Sequence, residues 1–141
     1  GFAAGPCLLK DTMQLSHFVD NKFVLGNASL KINEGLPNYI IGDLEKKYNL
    51  KKKKIGILGL SFKSDVDDIR DSLSIKLIKI LKRKKYKFFI SDEYVNDNRI
   101  ISAKKLIKSS DIIIVAVPHK NYRNMIIPKN KIKIDTWNIT K

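Results

Sequence analysis

Asp111–Val117 reads DIIIVAV, one charge followed by an unbroken apolar run. A strand that is apolar on both of its alternating faces belongs in the middle of a parallel sheet, covered from both sides. Pro118 and His119 end the run, at what would be the ligand edge of such a sheet. Further strands are expected near 55–59, 86–90 and 132–135. Helices are expected near 73–84, 101–109 and 120–125. Strand and helix alternate, so the expected fold is α/β: a Rossmann-like parallel sheet with helices on both faces.

Ile55–Ser72, IGILGLSFKSDVDDIRDS, is the most informative stretch for function. It reads as strand, then polar loop, then the start of a helix that carries Leu73, Leu77, Ile80 and Leu81 at helical spacing. Asp71 and Ser72 are helix-capping residue types. Ligands of open α/β sheets sit outside the carboxyl ends of the strands, where this loop would lie. Lys63 and Arg70 are two cations suited to phosphates, and Phe62 offers an apolar face. A merely solvated loop fits the spacing equally well. Gly56 and Gly59 do not complete a G-x-G-x-x-G fingerprint, and Asp92, near the end of the second strand, does not clearly supply its acidic partner. The domain therefore reads as Rossmann-like without the cofactor fingerprint.

Residues 1–50 read as a helical segment and 51–141 as the Rossmann-like domain, with the lysine run Lys51–Lys54 as a solvated boundary turn. In the first segment, Cys7 precedes a helix that Asp11 or Thr12 would cap, with Met13, Leu15 and Phe18 along it. A thiol at a helix N-terminus beside Lys10 would gain thiolate character, whereas a lone cysteine is more commonly buried and inert. A second helix is expected over Asn27–Tyr48, where Ile32, Leu36, Ile40, Leu44 and Tyr48 recur every four residues. Asn27 would cap it and Pro37 would kink it. Its apolar stripe has little of its own domain to cover and suggests a partner surface.

The chain carries 28 Lys and Arg against 14 Asp and Glu, a formal net charge of +14. Such a balance raises nucleic acid or an anionic membrane as partners. Lysine, isoleucine and asparagine are abundant together, though, and no aromatic–basic interleaving forms a stacking platform. An AT-rich genome accounts for the composition, and neither nucleic acid nor membrane is expected as a partner. No apolar run is long enough for a spanning helix, and no secretory signal opens the chain. One cysteine excludes an internal disulfide and suits a reducing cytoplasm. His17 and His119 have no partner at ligand spacing, so no metal is expected. His119, at a strand end, is placed to touch ligand, but a surface position is the expectation favoured for it.

GLSFKSDVDDIRDS resembles the motif that opens the C-terminal domain of the nucleotide-sugar dehydrogenases, the UDP-glucose/GDP-mannose dehydrogenase family. Gly59, Phe62, Lys63, Asp68, Arg70 and Ser72 fall in register. Cys7, Lys10 and Asp11 match that family's catalytic loop, a small-residue turn ending in Cys-x-x-Lys-Asp. Ala4, Gly5 and Pro6 depart from its usual glycine pair and serine, which leaves the sugar's identity open.

The resemblance implies NAD-dependent oxidation of a sugar C6 alcohol to a uronate through a thiohemiacetal and a thioester, as in polysaccharide biosynthesis. It implies Cys7 as nucleophile, with Lys10 and Asp11 beside it in the catalytic set and Asp11 positioning water or a proton. Leu8, Phe62 and Lys63 would meet the nucleotide-sugar substrate, and Arg70 the NAD pyrophosphate. It also implies a homodimer through the 27–48 helix. A separate N-terminal NAD-binding domain would lie outside this chain, which then reads as an inactive fragment. A stand-alone nucleotide-sugar-binding module is the alternative reading, followed by a basic nucleic-acid-binding domain.

Overall fold

The computed structural model describes residues 1–141. Strands β1 (Lys54–Leu58), β2 (Lys87–Ser91), β3 (Ile112–Val115) and β4 (Ile132–Asp135) form one sheet in the order β2-β1-β3-β4. Every neighbouring pair is parallel, with Ile57 opposite Ile90 on one side and Ile114 on the other. Helices α1 (Pro6–Phe18) and α2 (Val24–Lys47) precede the sheet. Helix α3 (Leu73–Arg83) joins β1 to β2, and α4 (Ala103–Ser109) joins β2 to β3.

The run Ile112–Val117 is apolar throughout because the sheet is covered twice. Ile112 and Ile114 face one core with Ile55, Ile57, Leu77 and Leu81. Ile113 and Val115 face the other, with Leu58, Leu106 and Tyr122. Helix α3 supplies the first core with Leu73, Leu77 and Leu81, all fully buried. Each contributes about 1.5–3 kcal/mol of transfer free energy. Gly56 lets α4 lie close to β1, since a Cβ there would collide with the Leu106 side chain.

Expected strand and helix positions over 55–135 agree with the structure to within a few residues, with one exception. The 120–125 helix shrinks to a single 3-10 turn, Lys120–Tyr122, because the chain must descend to begin β4. Ser72 caps α3, its hydroxyl accepting the Ser74 N–H at 3.1 Å. Asp71 does not cap; it takes a left-handed conformation, φ 51°.

The first fifty residues differ more. Helix α1 begins at Pro6, ahead of Cys7, instead of at Asp11 or Thr12. Proline's fixed φ suits the first helical position, and Gly5, at φ 131°, turns the chain into it. Helix α2 begins at Val24, so Asn27 lies inside it and continues through Pro37. Asn27 instead ties the two helices together, donating from Nδ2 to Ser16 Oγ at 2.7 Å.

Nor does α2 lack a domain to cover. Ile41 and Leu44 are both 1 % exposed and belong to the core beneath α3. Glu34 pairs with Lys76 and Glu45 with Lys84 and the Tyr86 hydroxyl, fastening α2 along α3. Its unpartnered apolar residues are confined to Val24, Leu25, Ile32 and Tyr39.

Candidate functional site

The site forms at the carboxyl ends of the strands, around the loop from Gly59 to Ser72. A long polar loop needs anchors, and two buried side chains provide them. Asp92, just past β2, accepts the Leu60 N–H at 2.6 Å and the Ser61 N–H at 3.4 Å through Oδ2. Its Oδ1 accepts the Tyr94 and Val95 N–H groups. His119, just past β3, accepts the Asp65 N–H at Nδ1, 2.9 Å away. That bond places the ring proton on Nε2, which donates to Asp92 Oδ2 at 3.0 Å.

Asp65 closes the network, its Oδ1 accepting from the Lys120 N–H and the Tyr94 hydroxyl. The His119 ring is walled by Tyr94 and Tyr122 at centroid distances of 4.9 and 5.2 Å. A surface position for His119 is therefore incorrect. The ring is fully buried because the loop folds over it. Burial pushes the Asp92 carboxyl up, but the bonds from His119, Leu60 and Tyr94 outweigh it and hold the group down at about 2.

The N-terminal segment crosses the same edge. Gly1 lies against the indole of Trp137, and Phe2 is buried in the core. Trp137 is itself fixed by Nε1 donating to the Ala116 carbonyl at 2.9 Å. The Asn33 amide of α2 donates to the Ala3 carbonyl. Gly5 then packs on Phe62, where a Cβ would approach Cδ2 to 2.9 Å. Two motifs more than fifty residues apart in sequence thus meet side by side.

Cys7 sits in the first turn of α1 and is exposed. Lys10 and Asp11 follow one turn later, on the same helix face as Cys7. They pair with each other at 3.6 Å, and each is more than half exposed. Arg70 Nε and Nη2 hold both carboxylate oxygens of Asp68 at 2.7–3.1 Å. Asp68 keeps the guanidinium above its ordinary value, and Cys7 and Asp71 lie near enough to add to that. The Lys63 ammonium stands 5.6 Å from the centroid of Phe62.

The structure sets the turn before Cys7 against the loop that carries Phe62, Lys63 and Arg70, with Lys10 and Asp11 one turn further along α1. Leu8 is set apart. It lines a groove of about 450 Å3 between α1 and α2, with Leu25, Leu30 and Asn33, and none of Phe62, Lys63 and Arg70 borders that groove. A thiol, the Lys63 ammonium, a guanidinium aimed by Asp68, a carboxylate and an aromatic face suit nucleophilic attack beside a bound phosphate group.

A complete dinucleotide cradle does not fit these residues. The loop Gly59–Ser72 separates β1 from α3, so no helix N-terminus follows β1 directly. Gly56 and Gly59 serve packing, against Leu106 and Val117. Asp92, the acidic residue directly after β2, is occupied by the loop and His119.

Sequence reasoning missed Asp92 and His119 as the organisers of the loop. The available signal was their shared position, each a polar residue one to four positions beyond an apolar strand. Asp135 plays a similar part as the last residue of β4, accepting the Trp137, Ile139 and Thr140 N–H groups.

The UDP binding domain of the UDP-glucose/GDP-mannose dehydrogenase family matches residues 56–141. The chain is 29% identical over 148 residues to the UDP-N-acetyl-D-mannosamine dehydrogenase of Pyrococcus horikoshii, covering 97% of this chain and 35% of that relative. It is 29% identical over 137 residues to the UDP-glucose 6-dehydrogenase of Rickettsia conorii, covering 86% and 32%. The solved structure of UDP-D-ManNAc dehydrogenase from Pyrococcus horikoshii superposes with a TM-score of 0.79 at 27% identity, over 99% of this chain and 36% of that one. GDP-mannose dehydrogenase from Pseudomonas aeruginosa shares the fold, with a TM-score of 0.81 at 23% identity over 99% and 37%. The chain spans about a third of the length of these relatives. With the matched domain occupying more than half of its residues, the chain belongs to the UDP-glucose/GDP-mannose dehydrogenase family.

Proposed function

We propose that this chain is the nucleotide-sugar-holding part of an NAD-dependent nucleotide-sugar 6-dehydrogenase, which converts a sugar C6 alcohol to a uronate. NAD supplies the hydride acceptor for the two oxidations, and residues outside 1–141 hold most of it. Cys7 works between them. Its thiolate sulfur bonds to C6 of the intermediate aldehyde as the carbonyl oxygen takes a proton, giving a thiohemiacetal. After the second oxidation the carbon remains on sulfur as a thioester. Water then adds at C6, the C–S bond breaks, and the acid and free Cys7 result.

Asp11, on the Cys7 face of α1, orients that water or receives its proton. Lys10 holds Asp11 in place. Lys63 binds the substrate near its phosphates, with Phe62 as the apolar wall beneath the ammonium. Arg70 reaches the NAD pyrophosphate. Leu8 contacts the sugar nucleotide only if the substrate extends toward the α1–α2 groove. The exposed N-terminal part of α2, with Val24, Leu25, Ile32 and Tyr39, is the proposed homodimer surface. The cytoplasm is the proposed compartment.

One observation carries this reading: Gly5, two residues before Cys7, packs on the ring of Phe62, the neighbour of Lys63, which supports a site shared by the two family motifs. The test is Cys7→Ser in the longer protein that includes an NAD domain. Acid formation should be lost while the sugar nucleotide still binds, and normal acid formation by that variant overturns the assignment.

A further inference from the structure

All four strands are parallel, so every segment that enters a strand lies at one edge of the sheet. Those entering segments are cationic. Lys51–Lys54 lead into β1, Lys82–Lys85 and Lys87 into β2, Lys108 into β3, and Lys129 and Lys131 into β4. Together they hold twelve of the 28 Lys and Arg residues. Asp111 is the one acidic residue among them, and its carboxylate is taken by the Lys54 N–H at 2.8 Å. Lys84 pairs with Glu45; the other side chains of these segments make no ion pair. All but Lys53 and Lys131 are exposed.

The opposite edge differs. The loops leaving the strands carry the acidic residues of Asp65–Asp71, then Asp92, Glu93 and Asp135, half of the 14 acids in the chain. Genome composition explains how many lysines a chain has. It does not explain why lysines gather at one edge and carboxylates at the other.

We propose that the amino edge of the sheet is an electrostatic docking surface for an anionic lipid bilayer. This inference is independent of the dehydrogenase reading. It departs from the expectation, drawn from composition, that no membrane partner exists. Along the sequence the lysines look like separate solvated turns, and only the parallel topology brings them together.

Three features favour a bilayer over nucleic acid. Eleven of the twelve cations are lysine, a point charge, and Arg83 is the exception, whereas planar arginine forks dominate specific base and phosphate recognition. These segments present no aromatic platform for bases; Tyr86 is half-buried, with its hydroxyl on Glu45. The charge distribution also orients the molecule at a charged plane: an anionic surface attracts the lysine edge more strongly than the opposite edge, where Lys63, Arg70 and Lys120 are set among Asp65, Asp67, Asp68, Asp71 and Glu93. Cys7, Lys63 and Arg70 then face away from the membrane. No helix is long and apolar enough to cross a bilayer, so attachment is peripheral.

The experiment is vesicle co-sedimentation of the 141-residue chain, with phosphatidylcholine alone and with phosphatidylcholine plus phosphatidylglycerol. Binding should require phosphatidylglycerol and fall steeply as salt rises. K52Q/K87Q/K129Q, which changes three unpaired lysines of three separate strand-entering segments, should weaken binding at least about tenfold, given the contribution expected per surface lysine. K22Q/K31Q/K120Q, equal in net charge but away from this edge, with Lys120 beside Asp65 beyond the carboxyl end of β3, should stay within about twofold of wild type. Equal losses in the two variants overturn the proposal, since net charge alone would then govern binding. So does failure to bind phosphatidylglycerol vesicles, whether or not random-sequence RNA binds in their place.

Discussion

His119 and Asp92 lie 27 residues apart in the chain and 3.0 Å apart in the fold. Neither side chain has any exposed surface. Every group that faces Asp92 is a donor: the N–H groups of Leu60, Ser61, Tyr94 and Val95, and His119 Nε2. Only a group that accepts through both oxygens satisfies that environment, and among the ordinary side chains that means an ionised carboxylate. The geometry of the Phe62–Lys63–Arg70 loop therefore depends on a charge state as well as on packing.

Asp92→Asn tests that dependence. The amide nitrogen cannot accept, so either the Leu60–His119 side or the Tyr94–Val95 side loses its partner. The expected loss is about 2–3 kcal/mol of unfolding free energy at neutral pH. The acid response should change too. The carboxyl titrates at about 2 in the folded chain and at about 3.9 when unfolded. Its contribution is thus complete above about pH 4 and disappears as pH falls toward about 2, an effect of about 2–3 kcal/mol. Urea titrations at about pH 7 and about pH 3 should show wild type losing more stability than the variant. An equal loss in both would mean that Asp92 does not carry this step.

His119→Phe keeps a ring between Tyr94 and Tyr122 but removes both nitrogens. The Asp65 N–H loses its acceptor, and Asp92 loses one of its donors. A destabilisation of about 1–3 kcal/mol follows. It should be uneven: amide exchange at Leu60 and Asp65 should accelerate more than at Leu77 or Ile113. Uniform acceleration across all four amides would make His119 a packing residue and nothing more.

The sheet was legible because its signals are local. Asp111–Val117 needs no distant partner to be read as a buried strand, and Ser72 caps α3 two residues away. The site was legible in its chemistry and not in its scaffold. Lys63 and Arg70 announce themselves by type within one loop. The Asp92–His119 bond joins two loops through space, and no periodicity encodes it. The start of α1 at Pro6 is hidden in the sequence for a similar reason. Pro6 and Gly5 look like a loop until Phe62, far along the chain, is seen packing on Gly5. The lysine edge is the extreme case, since it exists only once four parallel strands are aligned.

Gly5→Ala probes the contact between the two motifs. The position has φ 131°, a backbone conformation that alanine adopts at a cost of about 1–3 kcal/mol. Its Cβ would also stand 2.9 Å from Phe62 Cδ2. Thermal unfolding should shift down, and the intrinsic cation–aromatic contact of Lys63 with Phe62 should be disturbed. A tighter readout is alkylation of Cys7, two residues on: its rate should change in Gly5→Ala and not in Gly35→Ala, where a Cβ meets nothing. Matching rates in the two variants would show that the Gly5 turn does not set the position of the thiol.

Arg70 poses the last test, because Asp68 already occupies part of it. Nε and Nη2 are bound to that carboxylate, which leaves Nη1 to reach outward. The ion pair is exposed on the arginine side, so it adds little to stability and acts instead to aim the guanidinium. A charge-assisted contact from there to a pyrophosphate is worth about 1.5–3 kcal/mol. In a protein that joins this chain to an NAD-binding domain, the proposed function predicts that Arg70→Ala raises the KM for NAD at least several-fold. Asp68→Ala should raise it less, since the cation survives and only its aim is lost. Stability of the 141-residue chain should barely move in either variant. An unchanged KM in Arg70→Ala removes Arg70 from the cofactor site. A larger effect from Asp68→Ala than from Arg70→Ala would mean that the carboxylate, and not the guanidinium, meets the ligand.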